Sequence, residues 1–145
     1  MRYLAIVRRE GRYETAEFPD CPGCQTFAEA PDDLAVAAAE ALAGWLETSL
    51  AHGDAPAPPS RRYRKKRGDR LLWVEVPPKL TAAIEVRWAR TEAKLTQAGL
   101  GKLIGVSQQQ VAKMERATAN VSLDTLQRVA HALGRTVRVE LVRAG

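Results

Sequence analysis

LTQAGLGKLIGVSQQQVAKME, running from Leu95 to Glu115, reads as two short helices joined by a tight turn. Thr96 is placed to cap the first helix, because its hydroxyl can accept a hydrogen bond from a free helix N–H. The next turns put Leu100, Leu103 and Ile104 on one apolar side. Gly105 then ends the helix, at the position where a left-handed conformation costs glycine nothing. Val106 turns back toward the core and Ser107 caps the second helix. That helix buries Val111 and Met114 and leaves Gln108, Gln109, Gln110, Ala112 and Lys113 outside. An ordinary helical hairpin with a solvated glutamine face has the same pattern. Three consecutive glutamines, a short turn with glycine and a basic neighbourhood favour a major-groove reader. Glutamine can bond adenine N6 and N7, and lysine can reach guanine O6 and N7.

The stretch resembles the Cro/repressor (XRE-type) helix-turn-helix family from Ala82 to Gly134. The residues that carry this are T-Q-x-x-L from Thr96, G-V-S-Q-Q from Gly105, V-x-x-M-E from Val111 and L-x-x-V-A-x-A-L-G from Leu126. The resemblance implies that Gln108, Gln109 and Lys113 read bases. It places Ser107 and Gln110 near the DNA backbone or groove edge. Gln97, beside Thr96, falls at a phosphate contact, and Arg116 is a further phosphate candidate. Arg90 and Glu115 map to an ion pair that fixes the first helix to the recognition helix.

The 145 residues suffice for one domain or two small ones, and 46% are hydrophobic. The alternating, charged start MRYLAIVRREGRYE is unlike an export signal, and no run of 18 apolar residues is evident. A cytoplasmic protein without a membrane partner is the expectation. Residues 1–60 hold 4 Lys/Arg and 10 Asp/Glu, residues 61–80 hold 8 and 2, and residues 81–145 hold 10 and 5. An acidic front and a basic back suggest partners of opposite charge: a basic protein and nucleic acid.

From the front, Arg2 to Arg9 alternates as a strand, Glu10-Gly11-Arg12 turns, and Tyr13 to Phe18 returns as the second arm of a hairpin. Cys24 to Phe27 is a third short strand. Pro31, Asp32 and Asp33 open a helix that runs to about Ala51, with Leu34, Ala38, Ala41, Leu42, Trp45 and Ser49 at helical spacing. A Pro-rich exit and a basic run occupy residues 53–70. The run is either a solvated loop or a phosphate-contacting arm. Leu71 to Val76 has the apolar content of a central strand. Together these give an α+β chain: a β-β-β-α-β domain over residues 1–76, a linker at 77–80, and a helical DNA-binding domain over 81–145. In the latter, Leu123, Leu126, Val129, Ala130 and Leu133 form the stripe of a last helix. Arg135 to Val142 alternates as a final strand, which must pair within the chain or, as the favoured reading, with a second copy.

The first 76 residues resemble the HicB family of antitoxins. Phe18-Pro19-Asp20-x-Pro22-Gly23-Cys24 carries this, with Ala41-Leu42-x-x-Trp45-Leu46-Glu47 and the exit Gly53-Asp54-x-Pro56-x-Pro58-x-Ser60. The resemblance implies a small degraded RNase H-like fold. It also implies that this domain neutralises HicA, a small basic toxin that cleaves mRNA, while the helix-turn-helix represses the operon as a dimer or tetramer on operator DNA. Asp20, Asp32, Asp33, Glu40 and Glu47 are the candidate toxin contacts. A stand-alone regulator whose front domain senses a ligand or oligomerises is the alternative.

No catalytic constellation is evident, because the acids are too scattered to hold Mg²⁺ and no nucleophile–base pair is visible. No metal site or cofactor is expected. Cys21 and Cys24 lack a second C-x-x-C, and the turn at Pro22-Gly23 makes them structural.

Overall fold

The first strand is apolar on both sides, so it belongs where both of its edges are paired. The computed structural model, which describes residues 1–144, places it there. Strand β1 (Arg2–Glu10) is flanked by β2 (Tyr13–Glu17) and β4 (Arg70–Glu75), with β3 (Gln25–Glu29) outside β2. All three pairings are antiparallel. Helix α1 (Leu34–Ala51) lies between β3 and β4 in sequence and packs on β2, β3 and β4. Helices α2 (Pro78–Glu92), α3 (Gln97–Ile104), α4 (Gln108–Met114) and α5 (Leu123–Ala132) complete the chain. It divides into two compact units, Met1–Thr81 and Ala82–Gly145.

In the first unit, opposed residues of an antiparallel pair share a face of the sheet. Tyr3 opposite Val74 and Val7 opposite Ala16 are all buried, and Ala5 and Ala28 extend that face. The buried row of α1 is Leu34, Ala38, Leu42, Leu46 and Leu50, a strict i, i+4 stripe. The other face carries Leu4 and Ile6, which are buried, and Phe27, Leu71 and Trp73, which are exposed. Tyr13 and Phe27 meet edge-to-face there at 6.0 Å, and Arg2 lies over Trp73 at 5.0 Å.

The second unit is built on Val86, Leu100, Ile104, Val111, Met114 and Val129, with Val106, Val121, Leu126 and Leu133 packed against them.

Five expectations are corrected. Strand β4 is an edge, not a central, strand, because β1 takes the centre and its second side is free for β4. Helix α1 starts at Leu34: Asp33 is the N-cap, accepting from the Ala35 amide at 2.8 Å, so Pro31 and Asp32 precede the helix. The linker at 77–80 is helical from Pro78 onward. Leu103 and Leu123 are exposed, because a narrow apolar stripe suffices to close so small a core. Finally, α1 is long and apolar enough, by length and composition, to cross a membrane. Its leucine row packs on the sheet and Glu40 and Glu47 stand outside, as in a core helix.

Residues 135–144 form no strand, since none of the described residues offers them a partner.

Candidate nucleic-acid interface

Local hydrogen bonds set the two helices. Thr96 Oγ1 accepts from the Gly99 amide at 2.9 Å and caps α3. Gly105 closes that helix in the left-handed region, φ 73° and ψ 36°. Ser107 and Gln110 form a reciprocal capping box on α4: the Ser107 amide donates to Gln110 Oε1 at 2.8 Å, and the Gln110 amide donates to Ser107 Oγ at 3.1 Å. The turn is so close that a Cβ on Gly101 would stand 2.6 Å from the Val106 carbonyl oxygen. Only glycine lets α3 and the turn approach this far. Arg128 of α5 donates to the Ile104 carbonyl, which fixes the end of α3.

One carboxylate holds the frame. Glu115 is wholly buried at the end of α4. Arg90 Nε and Nη2 donate to its two oxygens, a bidentate pair. Arg87 Nη2 approaches the same carboxylate at 3.1 Å, and Gln97 Nε2 donates to it at 3.0 Å. Arg90 also donates to the Leu95 carbonyl at 2.7 Å. Glu115 therefore ties α2, α3 and α4 together. Charge-assisted bonds satisfy it where water is excluded.

What this frame presents outward is Gln108, Gln109, Lys113 and Arg116, all exposed. Thr96, Gln97, Ser107 and Gln110 are already engaged within the chain. Their engagement leaves donors in reserve. Thr96 and Ser107 use a hydroxyl lone pair and keep the O–H, and Gln110 uses its carbonyl oxygen and keeps the amide N–H₂. Gln97 spends one of two amide hydrogens. Donors are what a phosphate oxygen needs. The structure thus brings Arg90, Glu115 and Gln97 into one network and sets the base-reading candidates apart, facing solvent.

Sequence reasoning missed Arg87 and Arg128. Arg87 stands one turn before Arg90 on α2, and that spacing was the signal. Nothing in the sequence marks Arg128 as the partner of a carbonyl 24 residues earlier.

In the first unit the five acidic candidates separate. Asp33 is the cap of α1, and Asp20 Oδ2 accepts from the Ser60 amide at 2.7 Å, pinning the Pro-rich exit. Asp32, Glu40 and Glu47 are exposed. Glu40 and Glu47 are two turns apart on α1, on one solvent-facing side with Val36.

The basic run is a clipped loop. Its exposed cations are Arg61, Arg62, Arg64, Lys65, Lys66 and Arg67. Asp69, buried, accepts from the Lys66 amide at 3.0 Å, Tyr63 Oη at 3.1 Å and Arg8 Nε at 2.9 Å. The Lys66 amide above all, then Arg8 and Tyr63, holds the Asp69 carboxyl below its ordinary value, against the opposing pull of burial.

A carboxyl with a depressed folded pKa stabilises the fold above the unfolded value and loses that contribution as pH falls. The sheet unit is therefore expected to weaken as pH drops below about 3.8. Asp69→Asn should be less stable at neutral pH and flatter in its acid response. Acid titrations followed by circular dichroism test this; superimposable profiles contradict it.

Cys21 and Cys24 are both buried free thiols. Burial pushes Cys21 up to about 12 and Cys24 up to about 11. Thiols held this far from ionisation are poor nucleophiles and poor metal ligands. Cys24 Sγ donates to the Ala41 carbonyl at 3.6 Å, and Trp45 Nε1 donates to the Pro22 carbonyl at 3.1 Å, so the turn is stitched to α1.

Residues 86–139 match the helix-turn-helix family HTH_3, so the second unit carries an XRE-type helix-turn-helix domain. Among solved structures, the chain is similar to one from a complex described as "HicA3 and HicB3 toxin-antitoxin complex". The two are 28% identical over 54% of this chain and 100% of the other, with a TM-score of 0.46. No curated protein matches the chain.

Proposed function

We propose that the chain is a two-part antitoxin. Its first unit binds and neutralises a HicA-type, mRNA-cleaving toxin. Its second unit binds operator DNA and represses the operon that encodes both proteins. The reading requires no cofactor or metal and gives the chain no catalytic role. It acts in the cytoplasm, on the nucleoid when bound to DNA, and as a dimer or tetramer, because repressors of this kind read paired half-sites.

One observation carries the DNA-binding half. Gln108, Gln109 and Lys113 form an exposed row on a short helix whose own polar needs are met elsewhere, by the Ser107–Gln110 box and the Glu115 network. Such a row is free to bond base edges. The antitoxin half is supported by the HicB-like motif blocks and by the excess of acid over residues 1–60. Exposed carboxylates such as Glu40 and Glu47 suit a basic, RNA-binding partner and would compete with its RNA.

Gln109→Ala tests the base-reading assignment. It should cost about 1–3 kcal/mol on the operator and relax specificity at one base position. Binding to random DNA should change far less. Equal losses on operator and random duplexes, measured side by side at one salt concentration, would remove Gln109 from the base-reading set.

A further inference from the structure

The basic loop is a surface that the proposed function does not use. Arg61, Arg62, Arg64, Lys65, Lys66 and Arg67 put six cations into seven residues with no acid among them. They stand on a unit whose residues 1–60 hold 4 Lys/Arg and 10 Asp/Glu. All six are exposed. Like charges this close repel, so a loose loop would spread them apart. This loop is held instead. Asp20 accepts from the Ser60 amide at 2.7 Å, and Tyr3 Oη donates to the Ala57 carbonyl at 2.8 Å. Buried Asp69 accepts from the Lys66 amide, Tyr63 Oη and Arg8 Nε. The other carboxylates near that end of β1 are also taken: Glu14 pairs with Arg70 at 2.5 Å, and Glu17 with Arg8 at 3.5 Å. None of the six loop cations makes an ion pair among the described residues. The unit thus spends its nearest acids on holding the loop and leaves the cations unanswered.

The chemistry selects the partner. Cations of one sign, held in a fixed loop, match a polyanion. Four of the six are arginines, whose planar fork takes two oxygens of one phosphate. The run has no aliphatic side chain to enter a bilayer, and stable membrane anchoring takes a second, apolar signal. Single-stranded nucleic acid is gripped by exposed rings as well as by cations. Tyr63, the loop's one ring, is half-buried with its hydroxyl on Asp69. Duplex DNA asks only for phosphate contacts, and the helix-turn-helix unit of the same chain brings it. We infer that the loop at residues 61–67 binds the phosphate backbone of duplex DNA without reading its sequence, alongside the helix-turn-helix. Because both contacts belong to one chain, the second is intramolecular, and individually weak phosphate bonds add to the affinity. The inference rests on the DNA-binding half of the proposed function and is independent of the toxin half.

Salt dependence and footprinting of the full chain test it. The probe is a random-sequence DNA duplex, so base reading does not enter. Arg64→Gln, Lys65→Gln and Arg67→Gln are combined in one variant, whose circular dichroism should match the parent because these side chains make no ion pair. Each phosphate contact adds about 0.9 to the slope of log affinity against log salt, so the slope should flatten by about 2–3. In the parent protein, the bound duplex should shield Lys65 and Lys66 from an amine-acetylating reagent, together with Lys113. The inference is overturned if the slope flattens by less than about 0.9, the share of a single contact. It is also overturned if Lys65 and Lys66 react as in the free protein while Lys113 is shielded, which leaves the helix-turn-helix reading standing. A variant that keeps its DNA slope but loses binding to anionic phospholipid vesicles overturns it in favour of a lipid surface.

Discussion

Glu115→Ala should cost the helix-turn-helix unit about 3–5 kcal/mol, the penalty for removing one partner from a buried ion pair. The size follows from what is left behind. Arg87 and Arg90, both with little access to water, would lose the carboxylate they share, and Gln97 would lose its acceptor. Small domains have total stabilities of about 5–15 kcal/mol, so this single change brings the unit near its limit. DNA binding should fall with the folded fraction, on operator and random DNA alike. Urea unfolding followed by helical circular dichroism measures it. A loss below about 1 kcal/mol, the scale of an exposed ion pair, would show that Glu115 does not hold the three helices together.

Leu46→Ala should have the next largest effect, about 2–5 kcal/mol, confined to the sheet unit. Leu46 is fully buried in the middle of the α1 row, between Leu42 and Leu50. Truncation opens a cavity against a sheet that cannot fully collapse into it. Because the two units are separate compact bodies, toxin neutralisation should fail at elevated temperature while operator affinity persists. The pair of measurements is growth rescue and DNA binding on the same variant. Parallel loss of both would mean that the units fold as one.

Much of the second unit was legible because its determinants are local. A threonine, a serine and a glycine at the ends of short helices act on backbone groups within four residues, and their chemistry does not depend on the rest of the fold. The hairpin and the long helix of the first unit were legible for the same reason. What was hidden is non-local. Leu71 to Val76 has the composition of a central strand, yet strand order depends on which edge of β1 remains open, and β4 takes the outer position. Leu103 continues the apolar pattern of α3 but faces solvent, because Leu100 and Ile104 already fill the core beside Val111. The acidic candidates were selected by charge alone, which cannot separate Asp20 and Asp33, engaged in backbone hydrogen bonds, from Glu40 and Glu47, which are exposed. At the C-terminus, periodicity marked a strand, but residues 135–144 form none among the described residues, because a ladder depends on a partner that the segment's own sequence does not specify.

The central claim is that one half of the chain disarms a toxin while the other half controls its synthesis. Co-expression tests it most directly. A HicA-type toxin, sought as a small basic reading frame beside the gene, is expressed alone, with this chain, and with the Gln109→Ala variant, all from promoters that the chain does not regulate. The account predicts growth arrest alone and growth restored equally by both forms of the chain, with toxin and chain recovered as one complex. Continued arrest in the presence of the folded chain, with no complex recovered, would contradict it.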